Sequence, residues 1–247
     1  MKISTLLQRG IHHKNFNEDF IYTASISKDI MVCAVMDGCS SAKDSHFTSS
    51  LFAKSLHKSG RMLPQMKEII EDFDLKTMEL EAIADFFMKQ LFEDLKRAKK
   101  LFFLEREELL STIVLLVIDR KKKTACIKMS GDGIFAVNDE ITEVDQNNIP
   151  NFLGYHLGAS FEEVKDVEIQ TWNFDTVTDI SISTDGIDKL KPSSKTRKDN
   201  DNPRTHFLSG NSKSFDDSFL QKQYDIFRKK GFIPYDDIGM IRLIIAD

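Results

Sequence analysis

The chain has 247 residues, 41% hydrophobic and 30% charged, which is enough for one large core or two small ones in a soluble globular protein. A formal net charge of -5 argues against nucleic acid as the main partner, because phosphate binding leans on a basic surface. No apolar run reaches the roughly 18 residues of a membrane span and MKISTLLQRG lacks a signal-peptide core, so we expect a cytoplasmic protein that engages no membrane.

In chain order, short β-branched runs predict strands at Asp29 to Met36, Thr112 to Asp119, Thr124 to Met129, Ile134 to Asn138, Asp179 to Ser183 and Ile238 to Ala246. Two helices are expected between the first pair of strands. One carries Phe47, Leu51, Phe52, Ser55 and Leu56 after a capping-type Asp44; the other carries the stripe Leu80, Ile83, Phe87, Leu91 and Leu95. Arg120 to Lys123 reads as a solvated hairpin tip, and Lys191 to Asn202 as an exposed polar loop. A last helix is predicted from Phe215 to Lys230, stopped by Gly231 and Pro234. This order points to an α+β fold, stacked antiparallel sheets covered by helices. Cys33, Cys39 and Cys126 form no CxxC pair and are expected as reduced thiols.

Acids recur where apolar strands end: VMDG at Asp37-Gly38, SGDG at Asp132-Gly133 and STDG at Asp185-Gly186. Asp236-Asp237 precedes the last strand, and Glu18-Asp19 precedes an early apolar stretch. A single Asp-Gly is ordinarily a turn, but five acidic positions at strand edges suggest one shared cluster. Carboxylates within about 4 Å of one another repel by roughly 1 kcal/mol even in water, and hard divalent cations are the natural partners of all-oxygen sets. Neither DFDLKTMELE nor GDGIFAVNDE has the spacing of a calcium-binding EF-hand loop.

In order and spacing these blocks, NED (Asn17, Glu18, Asp19), VMDG, STIVLL (Ser111 to Leu116), SGDG, STDG and DDIGMI (Asp236 to Ile241), resemble those of the metal-dependent serine/threonine protein phosphatases of type 2C. The likeness spans Asn17 to the last strand and is closest to compact bacterial-type members. It implies a four-layer α-β-β-α sandwich, residues 1–247 acting as one catalytic domain, and two Mn²⁺ or Mg²⁺ ions sharing a water that attacks phosphoserine or phosphothreonine directly. By that resemblance Asp37 bridges both ions, the Gly38 carbonyl adds a ligand to one, and Asp185 and Asp236 hold the other. Of Glu18 and Asp19 one coordinates and the other stands behind it, and Asp132 with Asp185 holds a weaker third ion. The implied partner is a phosphoprotein, the product of a cognate serine/threonine kinase, met by a monomeric enzyme.

The chain also departs from the family pattern. Lys14 stands where an arginine often meets the substrate phosphate; it is expected to keep that contact without the bidentate fork. His12 and His13 beside it are expected to be exposed. DGCSS replaces the DGHGG of eukaryotic members, and Cys39 is not expected to take over the histidine's role. Gly133 and Asp237 replace the usual serine and asparagine without touching the ligands, and the extra charge of Asp237 is expected to favour cations. The alternative is a pseudophosphatase that binds a phosphoprotein or regulator. No arginine lies six residues after any cysteine, which removes a cysteine-nucleophile phosphatase, and GxGxxG and GxxxxGK[ST] are absent.

Overall fold

The computed structural model describes residues 1–71, 73–146, 150–193, 202–210 and 215–245. One antiparallel sheet has the order β2 (Asp19–Ser25), β3 (Ile30–Gly38), β4 (Ser111–Asp119), β5 (Thr124–Ser130), β8 (Gln170–Phe174). The other has the order β1 (Lys2–Gln8), β12 (Ile238–Ile244), β9 (Asp179–Ser183), β6 (Gly133–Val137), β7 (Glu140–Val144). A short ribbon pairs β10 (Leu190–Pro192) with β11 (Phe232–Pro234). Helices α1 (Ser45–Gln65), α2 (Leu80–Phe102) and α3 (Phe161–Glu168) cover the first sheet; α4 (Pro203–Leu208) and α5 (Phe219–Lys229) cover the second. This is the expected four-layer order of helices, sheet, sheet and helices.

The central strands are apolar throughout because both their faces are buried. Along β3, Ile30, Val32, Ala34 and Met36 face the helices, whereas Met31, Cys33 and Val35 face the other sheet. β4 repeats this with Ile113, Leu115 and Val117 against Val114, Leu116 and Ile118. Side chains alternate across a strand, so one continuous run feeds two cores, each aliphatic side chain contributing about 1.5–3 kcal/mol by its burial. The stripe on α2 packs Ile83, Phe87, Leu91 and Leu95 onto the first sheet.

Where the boundaries differ from expectation, the reason is local. The first predicted strand runs on to Gly38, making Asp37 and Gly38 rungs paired with Thr112 and Ser111. The last helix begins at Phe219, because Asp216 Oδ1 accepts the Ser218 amide and hydroxyl in a turn and Phe215 is packed in the core before the helix starts. β1, β2, β7 and β8 add strands whose polar, half-exposed residues hide the alternation. The hairpin tip is as read: the amides of Lys121 and Lys122 both donate to Asp119 Oδ1 at 2.9 Å. Lys191 and Pro192 belong to β10, whereas the rest of the predicted polar loop from Ser194 to Asp201, like Ala246, lies outside the described residues.

Cys33 and Cys126 are free and buried in β3 and β5, and burial pushes the Cys126 thiol up to about 12. Among the described residues no helix is long and apolar enough to cross a membrane.

Among the described residues, Lys128 and Arg242 are buried cations. Lys128 on β5 lies 2.7 Å from Asp85 and donates to Thr171 Oγ1 at 3.0 Å. Arg242 on β12 is 0% exposed; it forks onto Asp179 at 3.0 and 2.6 Å and donates to the carbonyls of Phe207, Ser209 and Gly210, tying the end of α4 to the sheet. Lysine at this position keeps the charge and loses the planar fork, leaving several buried acceptors unpaired. We expect Arg242→Lys to lose about 3 kcal/mol of stability in chemical denaturation.

Candidate metal centre

Register places the first two acids. Asp19 opens β2 directly opposite Asp37 near the end of β3. The parity that sends Val35 between the sheets sends Asp37 there too, and Asp19 shares that face with Ile21. From the second sheet, Asp185 follows β9, while Asp236 and Asp237 lead into β12. The acids therefore meet at one end of the sandwich, where Asp37, Gly38, Thr112, Asp132, Phe152 and Asp185 line a cleft of about 270 Å³. Asp132 and Asp185 also border a smaller hollow of about 70 Å³ beside Asp188 and Lys189.

The glycines after these acids serve close packing rather than tight turns. A Cβ on Gly38 would overlap the Ser45 carbonyl oxygen, and one on Gly186 would overlap that of Asp237. Neither position has a positive φ. Glycine here lets the first residues of α1 close against β3, and lets the turn after β9 close against the segment entering β12.

Electrostatically the acids outnumber the positive groups beside them, Lys189 near Asp185 and His13 near Glu18, Asp236 and Asp237. Asp19 is 1% exposed; its Oδ2 accepts from Thr184 Oγ1 at 2.7 Å, and Thr184 Oγ1 in turn accepts the Gly239 amide at 3.0 Å. Burial holds Asp37 well above the ordinary carboxylate range, reinforced by repulsion from Asp19, Asp185 and Asp236. Burial likewise raises Asp19, and burial with the charge of Asp236 pushes Asp185 up to about 6. Asp132 is raised by burial too, and its Oδ1 accepts the Gln146 amide at 2.7 Å. Asp19 Oδ1 and Glu18 Oε2 are buried without any hydrogen-bond donor. Orphaned carboxylate oxygens among like charges are what a hard divalent cation satisfies, so the residues fit Mn²⁺ or Mg²⁺. Among the described residues no three such side chains are drawn close enough to hold an ion as they stand.

A strap from Arg9 to Glu18 crosses the same end. Gly10 and Glu18 donate their amides to Asp237, the first at 2.6 Å, and Glu18's carbonyl accepts the Gly38 amide at 3.1 Å. His13 is not exposed as expected. Its side chain is 14% exposed, with Nδ1 2.8 Å from Asp237 Oδ2 and Nε2 3.5 Å from Glu18 and 3.3 Å from Ser40 Oγ. Burial opposes charging this imidazole, but Asp237, Glu18 and Asp236 together raise its pKa above the ordinary value. His12 is exposed against Tyr235, as expected. Lys14 is exposed, its carbonyl accepting from Arg9, and it does not line the cleft. Cys39 lines the cleft 3.3 Å from Ser41 Oγ.

Of the residues singled out from sequence, Asp19, Asp37, Gly38, Asp132, Asp185 and Asp236 converge with Glu18, while Lys14 stands apart. Sequence reasoning missed His13, Thr184 and the supporting role of Asp237. Only the unusual Asp236-Asp237 doublet offered a signal for them.

Comparison with known proteins places this arrangement. A family model described as Protein phosphatase 2C matches residues 8–222. A bacterial serine phosphatase, crystallised as an arginine-to-glutamate variant, superposes with a TM-score of 0.69 at 14% identity over 100% of this chain and 99% of its own. The serine/threonine phosphatase Stp1 from Staphylococcus aureus gives 0.63 at 13% identity over 100% and 96%. RsbX, crystallised with magnesium, gives 0.55 at 14% over 99% and 94%. At such identities these structures establish a shared fold, and no curated protein matches in sequence. With the family model covering most of its length, the chain belongs to the protein phosphatase 2C family of metal-dependent phosphoprotein phosphatases.

Proposed function

We propose that residues 1–247 form one catalytic domain that hydrolyses phosphoserine and phosphothreonine in a phosphoprotein, using two Mn²⁺ or Mg²⁺ ions held at the end of the sandwich. The carrying observation is the meeting of Asp19, Asp37, Asp185 and Asp236 from both sheets with buried carboxylate oxygens left unpaired. When bound, the ions supply a water of lowered pKa and neutralise charge on the phosphoryl oxygens. No covalent phosphoenzyme is needed.

The chain's own residues divide the remaining work. Asp37 stands at the centre of the cluster, with Asp19 and Asp185 both acting on it, and would take the bridging place, with the Gly38 carbonyl beside it as a further ligand. Asp185 and Asp236 would hold the second ion, and Glu18 would supply a carboxylate oxygen that accepts no hydrogen bond. Asp19 is anchored by Thr184 behind Asp37 and acts as the supporting acid of the pair. Asp132, facing Asp185 across the smaller hollow, suits a third, weaker ion. Lys14 meets the substrate phosphate as a point charge when the phosphoprotein covers the strap. The substrate is the product of a serine/threonine kinase, and the enzyme acts as a monomer.

One observation favours the second reading, a phosphoprotein-binding pseudophosphatase: Lys14 stands off the cleft in the free protein. Turnover separates the two. We expect release of phosphate from a phosphothreonine peptide only with Mn²⁺ or Mg²⁺, and a fall of about two orders of magnitude or more in Asp37→Asn and Asp185→Asn. Absence of release with any metal would support the binding module instead. Lys14→Ala is expected to lower kcat/KM about tenfold, mainly through KM, in steady-state assays on the same peptide.

A further inference from the structure

Asp237 is a buried acid with an unusual set of partners. Its side chain is 1% exposed, yet both oxygens are engaged by groups from the other end of the chain. Oδ1 accepts the Gly10 amide at 2.6 Å, while Oδ2 accepts the Glu18 amide and faces His13 Nδ1 at 2.8 Å. Other contacts hold the strap around this point, Arg9 donating to the carbonyl of Lys14 at 3.0 Å. The Ile11 amide donates to Pro234 O at 2.9 Å, and Phe16 stacks on His46 with ring centroids 4.0 Å apart. Asp237 leads into β12 of one sheet, and Glu18 leads into β2 of the other, so these contacts join the sheets beside the acid cluster.

Glu18 Oε2 is buried and accepts no hydrogen bond, its charged neighbour being His13 Nε2 at 3.5 Å. Where the carboxylate stands is therefore set by its backbone, and its backbone amide is set by Asp237. We propose that Asp237, with His13 as its counter-group, is a positioning residue of the centre: it clasps the strap so that Glu18 presents its carboxylate to the metal. The inference rests on the reading of Glu18 as a ligand. It assigns His13 a role through Nδ1, the atom beside Asp237, rather than through Nε2, which lies 3.3 Å from Ser40 Oγ and 3.5 Å from Glu18 Oε2. Partners behind metal ligands typically change affinity 10–100-fold when removed.

The test uses the full chain with Mn²⁺ as the probe, in wild type, Asp237→Ala, His13→Ala, His13→Asn and His13→Gln. Asparagine places an amide nitrogen where histidine has Nδ1, and glutamine places one near Nε2. Asp94→Asn, in the remote contact of α1 with α2, controls for lost stability. Amide hydrogen exchange at Gly10 and Glu18 is read in metal-free protein, and Mn²⁺ affinity is read by calorimetry. We expect Asp237→Ala to speed exchange at both amides and weaken Mn²⁺ binding about tenfold or more. His13→Ala should follow it in part, His13→Asn should restore both readouts, and Asp94→Asn should move neither. Faster exchange with unchanged Mn²⁺ affinity would overturn the positioning role, and rescue by His13→Gln rather than His13→Asn would overturn the role of Nδ1. Unchanged exchange in Asp237→Ala would overturn the clasp itself. A wild-type chain that binds no Mn²⁺ fails the metal reading first, before any variant is compared, and the positioning role falls with it.

Discussion

The structure turns on a charge imbalance: several carboxylates are enclosed between two apolar sheets with too little positive charge to match them. Among the described residues the buried cations are matched. Arg242 has the carboxylate of Asp179 and three carbonyls, and Lys128 has Asp85 and Thr171. At the open end of the sandwich Asp37 has Asp19, Asp185 and Asp236 for neighbours, and every one of them raises the cost of ionising it. An isolated buried carboxylate is costly enough that a fold retains a cluster of them only where something answers the charge. On the proposed function that counterpart is divalent metal.

The cluster is a product of packing between sheets. Asp19 and Asp37 belong to one sheet, while Asp185, Asp236 and Asp237 belong to the other. The intersheet core of Cys33, Val35, Ile182 and Ile241 is what holds the two sets at one end. Thr184 reaches across to Asp19, and Gly186 packs against the Asp237 carbonyl, so the turn after β9 is pinned on both sides. Core packing, close backbone approach and the site are thus one construction. A change that slid one sheet against the other would separate the acids without touching any of them.

Much of this was legible in the sequence, and unevenly so. β3 and β4 are buried on both faces, so they read as unbroken apolar runs, and α2 carries a clean stripe at helical spacing. β1, β7 and β8 are half-exposed and polar, and no local pattern separates them from loops. Asp37, Asp132 and Asp185 stood out because an acid and a glycine end an apolar strand, a pattern with a physical cause in the close approaches at Gly38 and Gly186. His13 was not legible. Its burial depends on Asp237, which the pairing of β1 with β12 and the strap contacts of Gly10, Ile11 and Glu18 bring beside it, and a histidine in a polar segment looks exposed from its neighbours alone.

The central claim is that two divalent cations complete the carboxylate cluster. Calorimetric titration of the metal-free chain with Mn²⁺, set beside Asp37→Asn, tests it most directly. The account predicts saturable binding of two ions per chain at the shared carboxylate cluster and loss of that binding when Asp37 is neutralised. No saturable binding, or binding unchanged in Asp37→Asn, would contradict it.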